Sequence, residues 1–331
     1  MWDFSISSAI GAMRRTLPYL VVRMLVYFGI ALLYIVATGG GGAIGYGFTS
    51  FGDGEGAGSI YGALIGFGGA SGFLYWAREY ILYLVKAGHI AVLTRLYDGK
   101  ELADGRNQVD YGISVVKDNF KEASILFGLD QLIKGVLKIV TGTLNTIGRI
   151  IPIPGLQNLT GMIGKILEMS LTYVDEIIIA HHFRSGSDNP WESSRNALVL
   201  YAQNYGTMAK NAAWLWIFMW LLTFVIFLVL LAPALAIISA FPGDIGFWSF
   251  VLAFLVAWSV KAALLEPIAI YALMHVFFKT IEGQQPDPEW EARLDKASDK
   301  FREIKEKAAG FVAGRTSSQT TGDAMEGGVA S

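Results

Sequence analysis

Cysteine is absent from this chain of 331 residues. Its absence excludes disulfide bonds, thiolate metal centres and a cysteine nucleophile, although it does not identify the compartment. Charged residues are also scarce, since they make up 16% of the chain, whereas a typical soluble domain has about 25%. The net charge of -2 argues against a nucleic-acid partner.

The most informative absence is the complete lack of Asp, Glu, Lys, Arg and His between Asn211 and Gly243. A second apolar run, from Ile245 to Phe278, is interrupted only by Lys261, Glu266 and His275. Uncharged stretches of more than about 18 residues are typical of membrane spans. The sequence therefore predicts an integral membrane protein.

The hydropathy pattern predicts an all-α, polytopic membrane protein with about four transmembrane helices and additional amphipathic interfacial or cytoplasmic helices. The predicted spans are Leu17 to Ala37, Ser59 to Leu84, Ala212 to Phe241 and Gly246 to Ile270. A Pro-Gly-Asp turn after Phe241 makes the last two spans a helical hairpin.

The connections between the paired spans contain no Lys or Arg. Thr38 to Gly58 carries Asp53 and Glu55, and the short turn carries Asp244. Because basic residues accumulate on the cytoplasmic side, we expect a multi-pass protein of the cell (inner or plasma) membrane with both termini in the cytoplasm.

Five segments follow from these patterns. They are an N-terminal transmembrane hairpin with a Gly-rich external loop (1–97), cytoplasmic or interfacial amphipathic helices (98–210), a C-terminal transmembrane hairpin (211–279), a cytoplasmic heptad helix (280–313) and a disordered tail (314–331).

The segment before the last hairpin is amphipathic. Apolar residues recur at helical spacing from Leu129 to Ile147, with Lys134 and Lys138 on the opposite face. This pattern predicts a helix that lies in the membrane interface and contacts anionic lipids. The alternative is a cytoplasmic subdomain in which such helices pack on each other.

Two further helices are predicted in the same segment. An amphipathic helix covers Gln157 to Phe183, and a third helix starts at Pro190. Asn189 is the predicted N-cap of the third helix, because Asn precedes a proline at the first helical position.

The heptad segment carries apolar residues at spacings of four and three from Trp290 to Phe311. Such a seam forms either a coiled coil or a helix that docks its apolar stripe on the cytoplasmic domain, and we favour docking. From Gly314 onward Ser, Thr and Gly dominate, which indicates disorder.

Glycine accounts for fifteen of the 34 residues from Gly39 to Gly72. Small residues at four-residue spacing let membrane helices approach closely. The residues predicted to pack in this way are Gly58, Gly62, Gly66, Gly68 and Gly72. The seam is either an oligomer or pore interface, or a contact of the second span with the first or the fourth.

Lys261, Glu266 and His275 are the polar candidates inside the last apolar run. Charges at this depth cost roughly 2.5–3.5 kcal/mol each. Glu266 precedes Pro267, which favours a kink, so Glu266 is a candidate for a polar site, a proton relay or a substrate contact. Alternatively, both charges lie at the membrane boundary, where lysine snorkels.

The geometry of a regular α-helix makes Lys261 and Glu266 poor partners for each other. Residues five apart point about 140° away from one another around the helix axis. We therefore expect each of them to find another partner.

Adjacent Asp175 and Glu176, and adjacent His181 and His182, have spacings that suit no metal site on a helix. We expect the two histidines to interact with the helix C-terminal dipole or with phospholipid headgroups. No phosphate loop, zinc-protease motif, dinucleotide fingerprint or catalytic triad is present. The sequence therefore predicts no enzyme activity, cofactor or metal.

A short series of motifs precedes the last hairpin: Arg195-Asn196-Ala197, Tyr201, Tyr205-Gly206 and Ala209-Lys210-Asn211-Ala212. With that hairpin, the stretch from Tyr173 to Glu282 resembles the C-terminal region of choline transporter-like proteins. The resemblance implies a multi-span carrier for a small cationic amine. No substrate-site residues follow from it, and this chain has fewer spans and lacks the family's large external domain.

Two functions fit these features. The first is a transporter or channel for a small solute or ion, with Lys261, Glu266 and the glycines near a polar pathway. The second is a non-transporting scaffold that shapes the membrane and self-assembles through the glycine seam and the amphipathic helices. In both cases we expect the lipid bilayer and further copies of the chain as partners.

Overall fold

The structure is a computed structural model that describes residues 2–49, 57–101, 108–119, 123–147, 173–239 and 246–326. The chain divides into two compact units. Unit 1 comprises Met1–Ala12, Ile90–Ile217 and Ala269–Ser331, and unit 2 comprises Met13–His89 and Phe218–Ile268.

Every regular element in the described ranges is a helix. The first six are α1 (Ile6–Arg15), α2 (Leu17–Thr49), α3 (Ala57–Tyr97), α4 (Gln108–Asn119), α5 (Ala123–Ile147) and α6 (Val174–Ser185). The others are α7 (Pro190–Gln203), α8 (Tyr205–Ile238), α9 (Gly246–Val260), a π-helical segment (Lys261–Leu265), α10 (Glu266–Thr280), α11 (Pro288–Ala297) and α12 (Asp299–Glu326).

Three helical stretches of the described chain are long and apolar enough to cross a membrane: Leu17–Phe48, Tyr205–Ala236 and Ala253–Thr280. The prediction of an all-α membrane protein is thereby confirmed. The remaining predicted span lies in α3, whose apolar stretch Ile60–Gly69 is shorter. Helix α2 continues to Thr49, so the first part of the predicted glycine-rich loop is helical.

Unit 2 turns its large apolar side chains outward. Leu25, Phe48 and Val229 are 70%, 81% and 69% exposed, and apolar surface of this extent is typical of a membrane or protein contact. Inside the unit, α2 packs on α9 and on the π-helical segment. Small residues mediate these contacts, since the buried apolar side chains of α9 and the π-helical segment include Ala253, Ala257, Ala262 and Ala263.

Unit 1 has its apolar side chains inside. Helices α5, α6, α7 and α12 pack on one another, and Leu129, Ile133 and Val136 of α5 are fully buried. The apolar face of α5 is therefore covered by protein over these residues, as the subdomain alternative requires. Most of the predicted helix from Gln157 to Phe183 lies outside the described residues.

The start of α7 confirms the predicted cap. The side chain of Asn189 accepts hydrogen bonds from the backbone N–H groups of Trp191 and Glu192, and Pro190 occupies the first helical position. The cap fixes where α7 leaves the preceding turn.

The heptad segment is two helices, and the expectation of a single helix was wrong. Ser298 has an extended backbone and separates α11 from α12, and its hydroxyl accepts the N–H of Phe301, which caps α12. Phe301 and Ile304 are fully buried, and α12 packs on α5 and α7. The seam is thus docked within unit 1, and α12 continues past Gly314 into the segment predicted to be disordered.

Candidate functional site

A π-helical turn interrupts the last membrane-spanning stretch. The backbone N–H of Glu266 donates to the carbonyl of Lys261, five residues earlier, instead of to Ala262. Pro267, the next residue, has no N–H with which to continue a regular α-helical ladder. Single π turns occur frequently at functional sites.

The carbonyl that the π turn releases has a different donor. Arg23 of α2 donates from its Nη2 to the carbonyl oxygen of Ala262 over 2.7 Å. A buried carbonyl without a donor would be costly. Arg23 therefore stabilises the interrupted helix directly.

The π turn also places Lys261 and Glu266 side by side. The Nζ of Lys261 donates to Oε1 of Glu266 over 2.8 Å. The expectation that these two residues are poor partners was wrong, because it assumed 100° per residue. A hydrogen bond across five residues shows a wider turn, which brings residues five apart onto the same face.

Two further cations surround the same carboxylate. Glu266 Oε2 lies 4.0 Å from Nη2 of Arg23 and 3.9 Å from Nζ of Lys86 in α3. Arg23, Lys261 and Glu266 are 1%, 8% and 7% exposed, while the Lys86 side chain is 22% exposed. We call these four side chains the charge cluster; it contains three cations and one anion.

Aromatic rings border the charge cluster. Lys261 Nζ lies 5.3 Å from the ring centre of Trp220, and the guanidinium of Arg23 lies 5.7 Å from that of Tyr27. Ring faces attract cations, especially where water is excluded. These rings therefore add an attractive contact to each of the two cationic side chains.

A second polar contact links the start of α2 to α3. His89 Nε2 lies 3.1 Å from the hydroxyl of Thr16, and the His89 ring stacks on Tyr19 with 5.0 Å between ring centres. Thr16, Tyr19 and Arg23 have helical spacing, so they share one face. This spacing is a sequence signal for a polar face on α2. These three residues were not among the site residues predicted from the sequence.

The glycines bring the backbones of α2 and α3 into contact. A Cβ atom at Gly62 would collide with the carbonyl oxygen of Gly41 and come within 2.9 Å of Cα of Gly45. A Cβ atom at Gly66 would collide with the carbonyl oxygen of Ala37. Within this chain, the seam thus joins α3 to α2.

Of the other glycines predicted to pack in the seam, only Gly58 contacts α2. The carbonyl oxygen of Gly58 occupies the position of a Cβ atom at Gly45, whereas no atom lies within 4 Å of a Cβ atom at Gly68 or Gly72. An oligomer interface at these glycines stays a prediction.

Unit 1 contains a separate ionic group in which two carboxylates are buried and the lysine is half-exposed. Lys134 Nζ lies 2.6 Å from Oδ2 of Asp130 and 3.5 Å from Oδ2 of Asp175. Burial raises the pKa of the Asp130 carboxyl, against the opposing effect of Lys134. Burial also lowers the pKa of Lys134, but the carboxylates of Asp175 and Asp130 outweigh it and raise that pKa overall. The group joins α5 to α6 as an ion pair.

His182, one of the two adjacent histidines of α6, is only 1% exposed. Its ring therefore does not reach a membrane surface. Its Nδ1 lies 2.7 Å from the hydroxyl of Ser193. Burial, with a smaller contribution from His181, lowers the pKa of His182 to about 4. The expected contact of this ring with lipid headgroups was wrong, because the ring is buried, whereas its interaction with the helix dipole stays a prediction.

The remaining candidates lie apart from the charge cluster. His275 belongs to unit 1, where its ring meets that of Tyr97 at 5.3 Å between centres. No group of three His, Asp or Glu side chains in the described ranges could hold a metal ion.

The Ala-Lys-Asn-Ala motif binds the N-terminal segment. Asn211 accepts the backbone N–H of Asp3 and donates to its carboxylate, both over 2.7 Å, and Lys210 Nζ lies 2.8 Å from the same carboxylate. Two positions 208 residues apart carry no local signal of their contact, so the sequence could not predict it.

No protein-family model matches the chain, and comparisons with curated proteins and with solved structures give no match. The resemblance to choline transporter-like proteins stays a prediction.

Proposed function

We propose that this chain is a membrane transport protein, a carrier or channel for a small charged solute, and that the charge cluster is its solute site. The observation that carries this proposal is the burial of Arg23, Lys261 and Glu266 at a π turn within a membrane-spanning helix. Ionisable residues inside membranes are expensive and typically mark solute or ion pathways. Interrupted helices also recur at the binding sites of transporters.

A purely structural function would need fewer charges. One Lys–Glu pair satisfies both partners, yet Arg23 and Lys86 also approach Glu266. Replacing buried ion pairs by apolar residues is often neutral or stabilising. The cost of four charges at one place is easier to understand if the site handles a charged solute.

The second candidate is a non-transporting scaffold. It is favoured by α1, which ends in Arg14 and Arg15 and exposes 40% of Ile10, as an interfacial helix does. Two other features weigh against it, because the glycine seam joins α2 to α3 and the apolar stripe of α12 is buried within unit 1. Gly62, Gly66 and the stripe of α12 are therefore not left for self-assembly, whereas Gly68 and Gly72 stay open.

The proposal includes a multi-pass topology in the cell membrane with both termini in the cytoplasm and the fourth span in α3. The chain has no cysteine, so single cysteines can be introduced without background. A membrane-impermeant thiol reagent applied to intact cells should label Gly54→Cys and Asp244→Cys but not Gly105→Cys or Ser317→Cys. Protection of position 54 would contradict this topology.

Transport is tested by flux into liposomes that contain the purified protein. A panel of inorganic anions, carboxylates, cations and amines is compared for the parent, Lys261→Gln and the control Lys300→Gln. Lys300 lies on α12 with a half-exposed side chain. We expect flux of at least one solute in the parent and in the control, and its loss in Lys261→Gln. Absence of flux for the whole panel in the parent would overturn the proposal.

A further inference from the structure

Two half-exposed tryptophan rings meet on the surface of unit 1. Trp2, which precedes α1, and Trp214 of α8 are 46% and 45% exposed, and their ring centres lie 5.6 Å apart in an edge-on arrangement. Ile217, one turn further along α8, is 39% exposed. Large apolar side chains gain from leaving water, and contiguous apolar patches mark surfaces that a protein or a membrane covers.

Hydrogen bonds hold the segment before α1 on α8. The Asn211 side chain accepts the backbone N–H of Asp3 and donates to its carboxylate, both over 2.7 Å, and Asn211 is fully buried. Lys210 Nζ lies 2.8 Å from the same carboxylate. An exposed ion pair contributes little, so the two Asn211 bonds are the stronger part of this group. These bonds, which we call the Asp3 contact, fix Trp2 beside Trp214.

The two rings lie where α8 changes from charged to uncharged. Lys210 is the last charged residue before a run that has none as far as Gly243. Trp214 follows it by four residues, which is about 6 Å along a helix axis, and both lie in the stretch Tyr205–Ala236 that is long and apolar enough to cross a membrane. The apolar patch is therefore continuous with a membrane-spanning surface, at the end where charges begin. Tryptophan is enriched at this level of a bilayer.

The neighbouring helix α1 has the pattern of a helix in the same layer. Its Ala9 is fully buried, while Ile10 is 40% exposed, and α1 ends in Arg14 and Arg15. An exposed apolar side chain on a helix with arginines suits the boundary between acyl chains and lipid phosphates. The residues that follow Trp2 in the chain therefore also suit a lipid surface.

From the paired rings, the Asp3 contact and their position on α8 we infer that Trp2 and Trp214 bind the headgroup and glycerol layer of a phospholipid bilayer, and that the Asp3 contact holds the segment before α1 in that layer. An indole ring has a broad apolar face and one N–H donor, which suits a layer that contains both acyl chains and lipid oxygens. The site is independent of solute transport, because it concerns how the chain is positioned in the membrane.

The depth of the two rings can be measured with both of them in place. The protein is produced with a fluorinated tryptophan, and the fluorine NMR signals of Trp2 and Trp214 are assigned from the variants Trp2→Phe and Trp214→Phe. Purified protein is reconstituted in phosphatidylcholine nanodiscs with lipids that carry a nitroxide on the headgroup or at the end of an acyl chain. We expect the headgroup nitroxide to abolish both signals and the chain-end nitroxide to leave them visible.

Trp290 is the matched control, because its ring is also partly exposed in unit 1 but lies beside Arg293 in the charged helix α11. Its signal should remain with both nitroxides. Survival of the Trp2 and Trp214 signals with the headgroup nitroxide would overturn the inference, and so would equal loss of the Trp290 signal. Protection of both rings from the lipid nitroxides and from a water-soluble relaxation agent would also overturn it, and would indicate a second copy of the chain as the partner.

Asp3→Ala tests the Asp3 contact and leaves both rings unchanged. The Asp3 side chain is 48% exposed, so its removal opens no space in the core. The ring current of Trp214 shifts the Trp2 signal only while the rings are in contact, and we expect Asp3→Ala to remove this shift. Glu289→Ala, which removes an exposed carboxylate paired with Arg293, should leave it unchanged. An unmoved Trp2 signal in Asp3→Ala would overturn the role of the Asp3 contact.

Discussion

The two units place their apolar and charged side chains in opposite ways. In unit 2, Leu25, Phe48 and Val229 point outward while the charge cluster is inside. In unit 1, Leu129, Ile133 and Phe301 are fully buried, and several ion pairs, such as that of Arg293 with Glu289, are exposed. The difference reflects the solvent, because hydrocarbon accepts apolar side chains and water accepts charges.

The two units also differ in the side chains through which their helices contact each other. In unit 1, large side chains such as Phe301 fill the space between helices, as apolar burial from water favours. In unit 2, lipid is as apolar as the helix surface, so contact depends on close packing of glycine and alanine backbones. The charges that remain in unit 2 are therefore costly to bury.

The largest expected effect comes from a cation of the charge cluster. Arg23→Leu leaves the Ala262 carbonyl and part of the Glu266 charge without a partner, and breaking a buried pair costs about 3–5 kcal/mol. Arg195→Leu in unit 1 is the control, since Arg195 is partly exposed and lies 4.0 Å from Glu291. Exposed pairs contribute about 0–1 kcal/mol.

Both variants are measured by chemical or thermal unfolding in detergent, with ligand-free buffer. Equal destabilisation by Arg23→Leu and Arg195→Leu would show that the buried cluster contributes no more than a surface ion pair.

The second largest effect is expected from a lysine introduced on the outer surface, because its cost should differ between the two units. Leu221 of α8 is 59% exposed and Val312 of α12 is 55% exposed. Leu221→Lys places an ammonium group in hydrocarbon at a cost of roughly 2.5–3.5 kcal/mol, whereas Val312→Lys on a water-facing surface should change stability by less than about 0.5 kcal/mol. The fraction of protein that resists alkaline extraction from membranes measures the difference. Equal extraction of both variants would contradict the assignment of the two surfaces.

The elements that the sequence predicted well are those with a local cause. Long apolar runs located the three long apolar helices, and the Asn-Pro pair located the start of α7, because hydropathy and capping depend on neighbouring residues. The break at Ser298 also had a local signal, since Ser followed by Asp is a common helix start. The regular heptad spacing on both sides of Ser298 obscured it.

The charge cluster could be predicted only in part. Lys261 and Glu266 were recognised as costly, and Pro267 indicated a kink, but a π turn and a bent α-helix give the same sequence pattern. The contact of Arg23 with residues 239 positions away depends on how α2 and the π-helical segment pack. Such a long-range contact has no signal in one sequence.

A smaller effect is expected at the glycine contacts. Gly62→Ala adds a Cβ atom that collides with the Gly41 carbonyl, and overpacking typically costs about 1–3 kcal/mol. Gly68→Ala is the control, because no atom lies within 4 Å of its Cβ position and alanine favours a helix by about 0.5–1 kcal/mol over glycine. Thermal unfolding in detergent should rank Gly62→Ala below the parent and Gly68→Ala level with it or above. The opposite ranking would contradict the α2–α3 contact.

The last prediction concerns a buried group of unit 1 that is neutral, in contrast to the ionised cluster of unit 2. Burial holds the pKa of His182 at about 4, against a usual value of 6.5. Between these values the unfolded chain binds a proton that the folded chain does not, so stability is complete above pH 6.5 and falls as the pH decreases towards 4. At pH 5 the loss from this ring is about 2 kcal/mol. His182→Asn keeps a polar side chain near Ser193 without a titrating group. It should reduce the fall in unfolding midpoint between pH 7 and pH 5 without abolishing it, because burial also lowers the pKa of His181 to about 4. An unchanged slope in His182→Asn would show that protonation of this ring does not contribute to the destabilisation of unit 1 at low pH.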